Sequence, residues 1–280
     1  MKIYRLGLIG YPLGHSLSPK IHTAALKACG LKGDYSLFPI HPDDKQGLQD
    51  LLARVRAGEL HGMNVTIPHK QNVIELMDEL TPTANAIGAV NTIYLRGNIL
   101  IGDNTDTLGF LKDLHRFLAI NELRIGNHKS SIVLGAGGSA RAVVYALVND
   151  GWSVTIAARR IEQAKELAAR YKGVDAVEFD LQTFRSSTFQ LVVNTTPVGM
   201  TPNTDQSFWP ENLSFSNAMI YDLVYNPRET RLVKDAHAHG LHATTGLGML
   251  IEQAALSFEI WTGHNLARDA VLASISETDK

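Results

Sequence analysis

Along nearly the whole chain, short apolar runs alternate with longer stretches in which apolar residues recur every three or four positions, the two periods that separate strands from amphipathic helices. In the first hundred residues LGLIGY, DYSLFPI and GMNVTI predict strands, with helices at 19–29 and around 43–57 between them. NTIYL and ILIGD flank Arg96-Gly97-Asn98, where Gly and Asn supply turn conformations, so these segments predict a hairpin. Folding there returns Asn91 to the side of Asn104, so Asn91 and Asn104-Thr105-Asp106 share one end of the structure. After LGFLKDLHRFL, which predicts a helix, and the polar link GNHKS, a second series begins. Strands are expected at SIVL, WSVTIAA, QLVVNTT and AMIYDLVYNP, with helices at ARAVVYALV and 161–171 and a polar loop at 201–217. GLGMLIEQAALSFEIWTG and LARDAVLASI predict two closing amphipathic helices. The alternation predicts an α/β fold, and with the length of the chain two α/β domains. No internal repeat or low-complexity tract interrupts it.

Within this pattern NVTIPHK, residues 64–70, is unusual. A period of two puts Val65 and Ile67 on the core face of a strand and Asn64 and Thr66 on the other, and Pro68 ends the ladder just before Lys70. Asn64, Thr66, Lys70, Asn91 and Asp106 thus gather at ends of strands or of the hairpin, where open α/β sheets bind ligands, and such a set suits a polyhydroxylated ring. Singly each has a plainer reading: a solvated lysine, ordinary turn residues, a satisfied edge. In GHSLSPK, Ser18 is expected as a helix N-cap, with Pro19 first in the helix and Gly30 as its stop. Ser16 and Ser18 would point to one side, and two hydroxyls at a helix N-terminus can hold a small carboxylate. Equally, Ser18 is a plain cap and Ser16 incidental.

Composition narrows the partners. A chain of 280 residues, 45% hydrophobic, with a net charge of −2, carries no signal for nucleic acid or membrane. Nowhere do about 18 uncharged apolar residues run together, and the N-terminal apolar run, cut by Pro12, does not read as a signal peptide. Cys29 is the single cysteine, so an intrachain disulfide and a cysteine metal cluster are excluded, no metal is expected, and a reducing cytoplasm fits best.

Gly135-x-Gly137-x-x-Ala140 follows an apolar strand and opens a helical run, the context a dinucleotide fingerprint requires. The glycines let backbone approach a pyrophosphate, and the helix start supplies N–H groups and a positive dipole. The next strand ends in Ala158-Arg159-Arg160, two cations where an NAD site carries a carboxylate, which favours a 2′-phosphate and hence NADP(H).

GHSLSP, NVTIPHK, GAVNT, DNTDTLGF, GAGGSARA, NTTPVGM and GLGMLIEQAA, in this order and spacing, resemble the blocks of shikimate dehydrogenases across nearly the whole chain. The resemblance implies NADP(H)-dependent, reversible reduction of 3-dehydroshikimate to shikimate, on the route to aromatic amino acids. It implies an α/β substrate domain at 1–107 completed by the C-terminal helices at 245–280 and a Rossmann-type, doubly wound NADP-binding domain at 108–244. By the same resemblance Ser16 and Ser18 meet the substrate carboxylate with Tyr225 beside it. Asn64, Thr66, Asn91, Asp106 and Gln253 bind hydroxyls, and Lys70 with Asp106 form the catalytic pair. Gly135, Ala136, Gly137, Gly138, Ser139, Arg159, Leu223 and Gly246 are the implied cofactor contacts.

Ala158-Arg159-Arg160 followed by Gln163 departs from the Asn-Arg-Thr pattern of the family, with Arg160 in position to replace a phosphate contact. Hydride transfer belongs to the nicotinamide, so Lys70 is expected either to move the proton or to stabilise the developing alkoxide, hydrogen-bonded to Asp106. The alternatives are a dual quinate and shikimate dehydrogenase and, from another class, a non-catalytic NADP(H)- or shikimate-binding regulator. The expected assembly is a monomer or a homodimer.

Overall fold

The computed structural model of the chain describes residues 2–123, 125–126, 129–180, 189–208 and 218–276. They form two compact units, Met1–Gly109 with Ile251–Lys280, and Phe110–Leu250.

The first unit holds strands β1 (Ile3–Gly10), β2 (Lys32–Pro39), β3 (Gly62–Val65), β4 (Glu79–Leu80), β5 (Thr92–Arg96) and β6 (Ile99–Asp103) in the order β2-β1-β3-β5-β6-β4. β2, β1 and β3 are parallel, and helices α1 (Ser18–Ala28) and α2 (Lys45–Arg56) make the crossovers between them. Leu48, Leu51, Leu52 and Val55 line one face of α2 and bury against Ile9, Met63, Val65 and Ile93 of the sheet. Each such side chain removed from water contributes roughly 1.5–3 kcal/mol. Asp44 caps α2 by accepting the Gly47 N–H at 2.8 Å.

The expected hairpin is present: Gly97 takes the left-handed conformation, with φ 63°, and Arg96 pairs with Ile99. Its register carries to the open end, where the Asn91 N–H donates to the Asp103 carbonyl at 3.0 Å. The six-residue α3 (Pro82–Ile87) and the two-residue β4 escaped the sequence reading because neither is long enough to show a period.

Two expectations are corrected. β3 ends at Val65, and Ile67 is 46% exposed rather than packed in the core. β5 pairs only with Met63 and Asn64 of β3, so at Thr66 and Ile67 the chain is held on one side only, by Thr66 N–H to the Ile9 carbonyl and Tyr11 N–H to the Ile67 carbonyl. Ser18 is inside α1, not its cap: Leu17 takes the cap position, and the Ser16 hydroxyl accepts the Ser18 N–H at 3.3 Å. That local turn starts the helix two residues after Ser16.

The second unit holds β7 (Ser130–Leu134), β8 (Ser153–Ala158), β9 (Asp175–Glu178), β10 (Leu191–Asn194), β11 (Met219–Asp222) and β12 (Ala243–Thr245), all parallel in the order β12-β11-β10-β7-β8-β9. Two halves thus wind outward from the β7–β10 junction, the doubly wound dinucleotide-binding order. Alternate residues face opposite layers: Val133, Val193 and Tyr221 pack into one core, Ile132, Val192 and Ile220 into the other. Among the connecting helices, α4 (Asp106–Ile120) leads in from the first unit, and α5 (Gly138–Asn149), α6 (Ile161–Ala168) and α7 (Arg231–Ala238) follow. β9 and β12, short and carrying polar residues at the sheet edges, gave no strand signal in the sequence. The loop expected at 201–217 lies outside the described residues from 209 onward. α8 (Leu247–Thr262) and α9 (Arg268–Ser276) close the chain, α9 packing against α1.

His22 of α1 is fully buried, its ring stacked on Tyr35 with centroids 4.4 Å apart and planes 2° from parallel. Burial pushes its imidazole down to about 3 from an ordinary value of 6.5. The native state therefore keeps His22 neutral where the unfolded chain takes a proton, so stability is complete above about pH 6.5 and falls by up to ~1.4 kcal/mol per pH unit below it. His22→Phe is expected to flatten the urea-unfolding free energy between pH 6.5 and 4 relative to the parent; an unchanged slope would refute this.

Candidate functional site

In the first unit a buried polar cluster lies where the hairpin, the loop after β3 and the start of α4 meet. Lys70 Nζ donates to Asp106 Oδ2 at 2.7 Å, with both side chains at most one-tenth exposed. Asn91 Nδ2 donates to Asp106 Oδ1 at 2.8 Å and lies 3.3 Å from Gln253 Oε1 of α8. The backbone fixes this arrangement. The Lys70 carbonyl accepts the Val90 N–H at 2.7 Å, and the Thr105 N–H donates to Asn91 Oδ1 at 2.8 Å, which leaves the Asn91 nitrogen facing the carboxylate. His69, buried beside Lys70, is tied through Nε2 to the Ile40 carbonyl at 2.7 Å and anchors the loop to the end of β2.

Asn64 belongs to the same cluster through its side-chain amide, 3.2 Å from the Asn91 carbonyl. Lys70, Asn91, Asp106, Gln253 and Asn64 are therefore brought together. Thr66 stands half-buried two residues on, and Ser16 and Ser18 form the separate turn at the start of α1. Sequence reasoning assigned no role to Tyr35, Thr92, Thr105 or Ser257, whose hydroxyls complete the cluster; on the strand and helices they read as ordinary polar positions.

In the second unit the glycine run lies just past the end of β7, at the sheet's switch point. Gly135 has φ 110°, and a Cβ there would come 2.7 Å from Thr195 Oγ1. Over Gly137 an added Cβ would meet nothing within 4 Å, and the N-terminus of α5 has no side-chain cap. Open backbone and an uncapped helix start fit a dinucleotide pyrophosphate. Arg159 and Arg160 are exposed after β8.

The loops after β10 and β11 are joined by Asp222, fully buried, whose Oδ1 accepts from Asn194 Nδ2 at 2.8 Å and the Val224 N–H at 3.0 Å. Thr230 Oγ1 donates to its Oδ2 at 2.6 Å. Burial pushes the Asp222 carboxyl up to about 6, against the opposite pull of these hydrogen bonds. Leu223 and Gly246 lie together, Gly246 against the Leu223 backbone so closely that only glycine fits. Tyr225, half-buried just beyond, has its phenol pushed upward by burial and stays un-ionised near neutral pH. Asn194, Asp222 and Thr230 were missed as a unit, because the sequence does not reveal that three segments converge.

Known proteins match this arrangement along the chain. Residues 8–93 match the family model described as the shikimate dehydrogenase substrate binding domain, 118–197 that of shikimate / quinate 5-dehydrogenase, and 246–275 that of the shikimate 5′-dehydrogenase C-terminal domain. The chain is 42% identical over 277 residues to the shikimate dehydrogenase (NADP(+)) of Salinibacter ruber, covering 94% of each. Identity to the enzyme of the same name from Bacillus subtilis is 39% over 268 residues, covering 94% of this chain and 92% of that one. The solved shikimate 5-dehydrogenase of Thermus thermophilus, in complex with NADP(H) and shikimate, superposes with a TM-score of 0.85 at 35% identity, covering 98% of this chain and 99% of that one.

Thr230 both caps α7, accepting the Val233 N–H at 3.3 Å, and donates to Asp222. Thr230→Val is expected to lower the stability of the second unit by about 2–4 kcal/mol, the cost of a lost cap and an underpaired buried carboxylate, in denaturant unfolding. A loss below about 0.5 kcal/mol would show that Asp222 finds its hydrogen bonds elsewhere.

Proposed function

The chain belongs to the shikimate dehydrogenase family and is an NADP-dependent oxidoreductase of the shikimate pathway, and we propose that Lys70 and Asp106 handle the proton while 3-dehydroshikimate and shikimate interconvert. When bound, NADP(H) supplies or accepts the hydride. The chain's own task is to hold the reacting oxygen and move its proton. Lys70 carries three donors on one nitrogen; the hydrogen bond to Asp106 orients Nζ, and this reading assigns another of its protons to the reacting oxygen. In reduction Lys70 Nζ gives a proton to the oxygen that becomes the hydroxyl, and in oxidation it takes one back. The observation that carries this reading is the 2.7 Å Lys70–Asp106 contact, buried together with Asn91 and Gln253.

Asn91, Gln253, Asn64 and Thr66 are assigned to the ring hydroxyls, and Ser16 and Ser18, at the start of α1, to the carboxylate. Tyr225 is assigned to the substrate as a phenolic donor. The glycine run Gly135–Ser139, with Leu223 and Gly246, is assigned to NADP(H), and Arg159 and Arg160 to its 2′-phosphate. On this reading residues 1–107 with 245–280 form the substrate-binding domain and 108–244 the NADP-binding domain, with Tyr225 and Gly246 the two assignments that fall outside this division. No helix among the described residues is long and apolar enough to cross a membrane. The single cysteine supports a reducing cytoplasm, and a monomer or homodimer is the proposed assembly.

Two measurements test these assignments. Lys70→Ala is expected to cut turnover of shikimate with NADP+ by about 10²–10⁴-fold while the dissociation constant for NADP+ stays within about twofold. Retained turnover would sink the role of Lys70. Replacing Arg159 and Arg160 together by Ala should lower the kcat/KM preference for NADP+ over NAD+ by about tenfold to hundredfold, since a charge-assisted hydrogen bond to phosphate is worth ~1.5–3 kcal/mol. An unchanged preference would mean that the 2′-phosphate is held elsewhere.

A further inference from the structure

The polar cluster behind Asp106 contains contacts whose proton positions follow from which atoms can only accept and which contacts are shortest. Asn64 Oδ1 and Asn91 Oδ1 can only accept. Tyr35 Oη lies 2.8 Å from Asn64 Oδ1, so the phenol donates. Thr92 Oγ1 lies 2.9 Å from Asn91 Oδ1, so the threonine hydroxyl donates there. Thr92 has then spent its only proton, and the 2.8 Å contact between Thr92 Oγ1 and Ser257 Oγ needs the proton of Ser257. Ser257 in turn accepts from Asn64 Nδ2 at 3.0 Å. Ser257 also has the Gln253 carbonyl at 3.0 Å, and Thr105 Oγ1 lies 3.2 Å from both Asn91 Oδ1 and Ser257 Oγ; the direction Ser257 to Thr92 is the one that leaves no proton-free contact among the shortest pairs. The last link is Asn91 Nδ2 to Asp106 Oδ1 at 2.8 Å.

Resting on the reading of Lys70 and Asp106 as the reacting pair, we propose that Tyr35, Ser257 and Thr92 are positioning residues for that pair. Their hydroxyls, joined through the amides of Asn64 and Asn91, form one hydrogen-bond chain in which each successive link donates toward Asp106. Donors aligned in one direction polarise one another, and the effect accumulates on the terminal acceptor. Together with the Thr105 N–H, which shares Asn91 Oδ1 with Thr92, the chain fixes the Asn91 amide and occupies Asp106 Oδ1, so Oδ2 is left to aim Lys70. Buried threonine, serine and tyrosine hydroxyls with no direct contact to Asp106 thereby set the direction of the reacting lysine. The two amides pass on orientation but no proton, so this is a clamp rather than a proton wire.

The test uses the full-length enzyme carrying Thr92→Val, with Thr92→Ser as the conservative control and Tyr35→Phe at the far end of the chain. Thr92→Val is expected to lower kcat for shikimate about tenfold with the KM for NADP+ within about twofold of the parent, and Thr92→Ser to restore kcat to within about twofold. Tyr35→Phe should lower kcat about threefold in the same way. In ¹H–¹⁵N correlation spectra the Asn91 side-chain amide should shift in Thr92→Val and return in Thr92→Ser. If kcat stays within about twofold in both Thr92→Val and Tyr35→Phe, whatever their melting temperatures, or if the Asn91 amide does not move, the proposal is overturned. The amide signal needs no turnover. An active Lys70→Ala enzyme would therefore overturn the assignment of Lys70 while leaving the chain of donors to be judged by the resonance alone.

Discussion

The structure of the first unit depends on keeping one ion pair, Lys70 with Asp106, largely out of water. Removing two charges from solvent costs several kcal/mol per ion, and mutual attraction offsets that only where the remaining hydrogen-bonding capacity is also met. The surroundings of the pair answer this requirement. Asp106 receives Lys70 on one oxygen and Asn91 on the other, and its own N–H donates to Asn104 Oδ1 at 3.1 Å. Asn104 is held by its amide on the Ala89 carbonyl at 2.9 Å. Each polar group satisfied in this way brings another into the interior. That is why the interior ends of this mixed sheet, otherwise lined by valine, isoleucine and leucine, hold so many amides and hydroxyls.

The second unit meets a related demand differently. Asp222 has neutral partners, Asn194, Thr230 and the Val224 N–H, where Asp106 has a lysine. Neutral donors leave desolvation as the larger effect, which is why this carboxyl stands at about 6. What Asp222 gains is geometry: one carboxylate sets the exits of β10 and β11 and the start of α7, and so the backbone around Leu223. A glycine at 246 lets the next strand's exit close onto that backbone.

Legibility in the sequence followed sequence distance. The Gly97-Asn98 turn sets a register, and the register alone carries Asn91 to Asp103 and hence near Asp106, so this half of the site was open to inference from a few residues. The order of the second sheet was foreshadowed by the strand–glycine–helix succession at 130–149. The partners of Asn64 were not accessible in this way. Ser257 is 193 residues away, and nothing in GLGMLIEQAALSFEIWTG marks that serine apart from any other polar position on a helix. The two corrections have a local cause. Alternation in NVTIPHK continues past Val65, but a strand needs partners as well as a period, and β5 offers none there. At Ser16 and Ser18 the pattern named Ser18 as the cap, and it carried no sign that the Ser16 hydroxyl would form a local turn that leaves Ser18 inside the helix.

Two buried groups, Asp222 and His22, bear on how the molecule responds to pH. Asp222 has a folded value near 6, above the ordinary 3.8, so the native state binds its proton more tightly than the unfolded chain does. Its contribution to stability is therefore complete below about pH 3.8 and is lost as pH rises through 6. His22 runs the other way, complete above 6.5 and lost toward 3. The two groups lie in different units, so acidification loosens the first while relieving the second. A single unfolding midpoint followed across this range would average two opposite slopes. Near neutral pH, Asp222 is mostly ionised and its carboxylate accepts from Asn194, Val224 and Thr230 at once. The loop geometry around Leu223 is thus set in the very form of Asp222 that costs the fold most to bury.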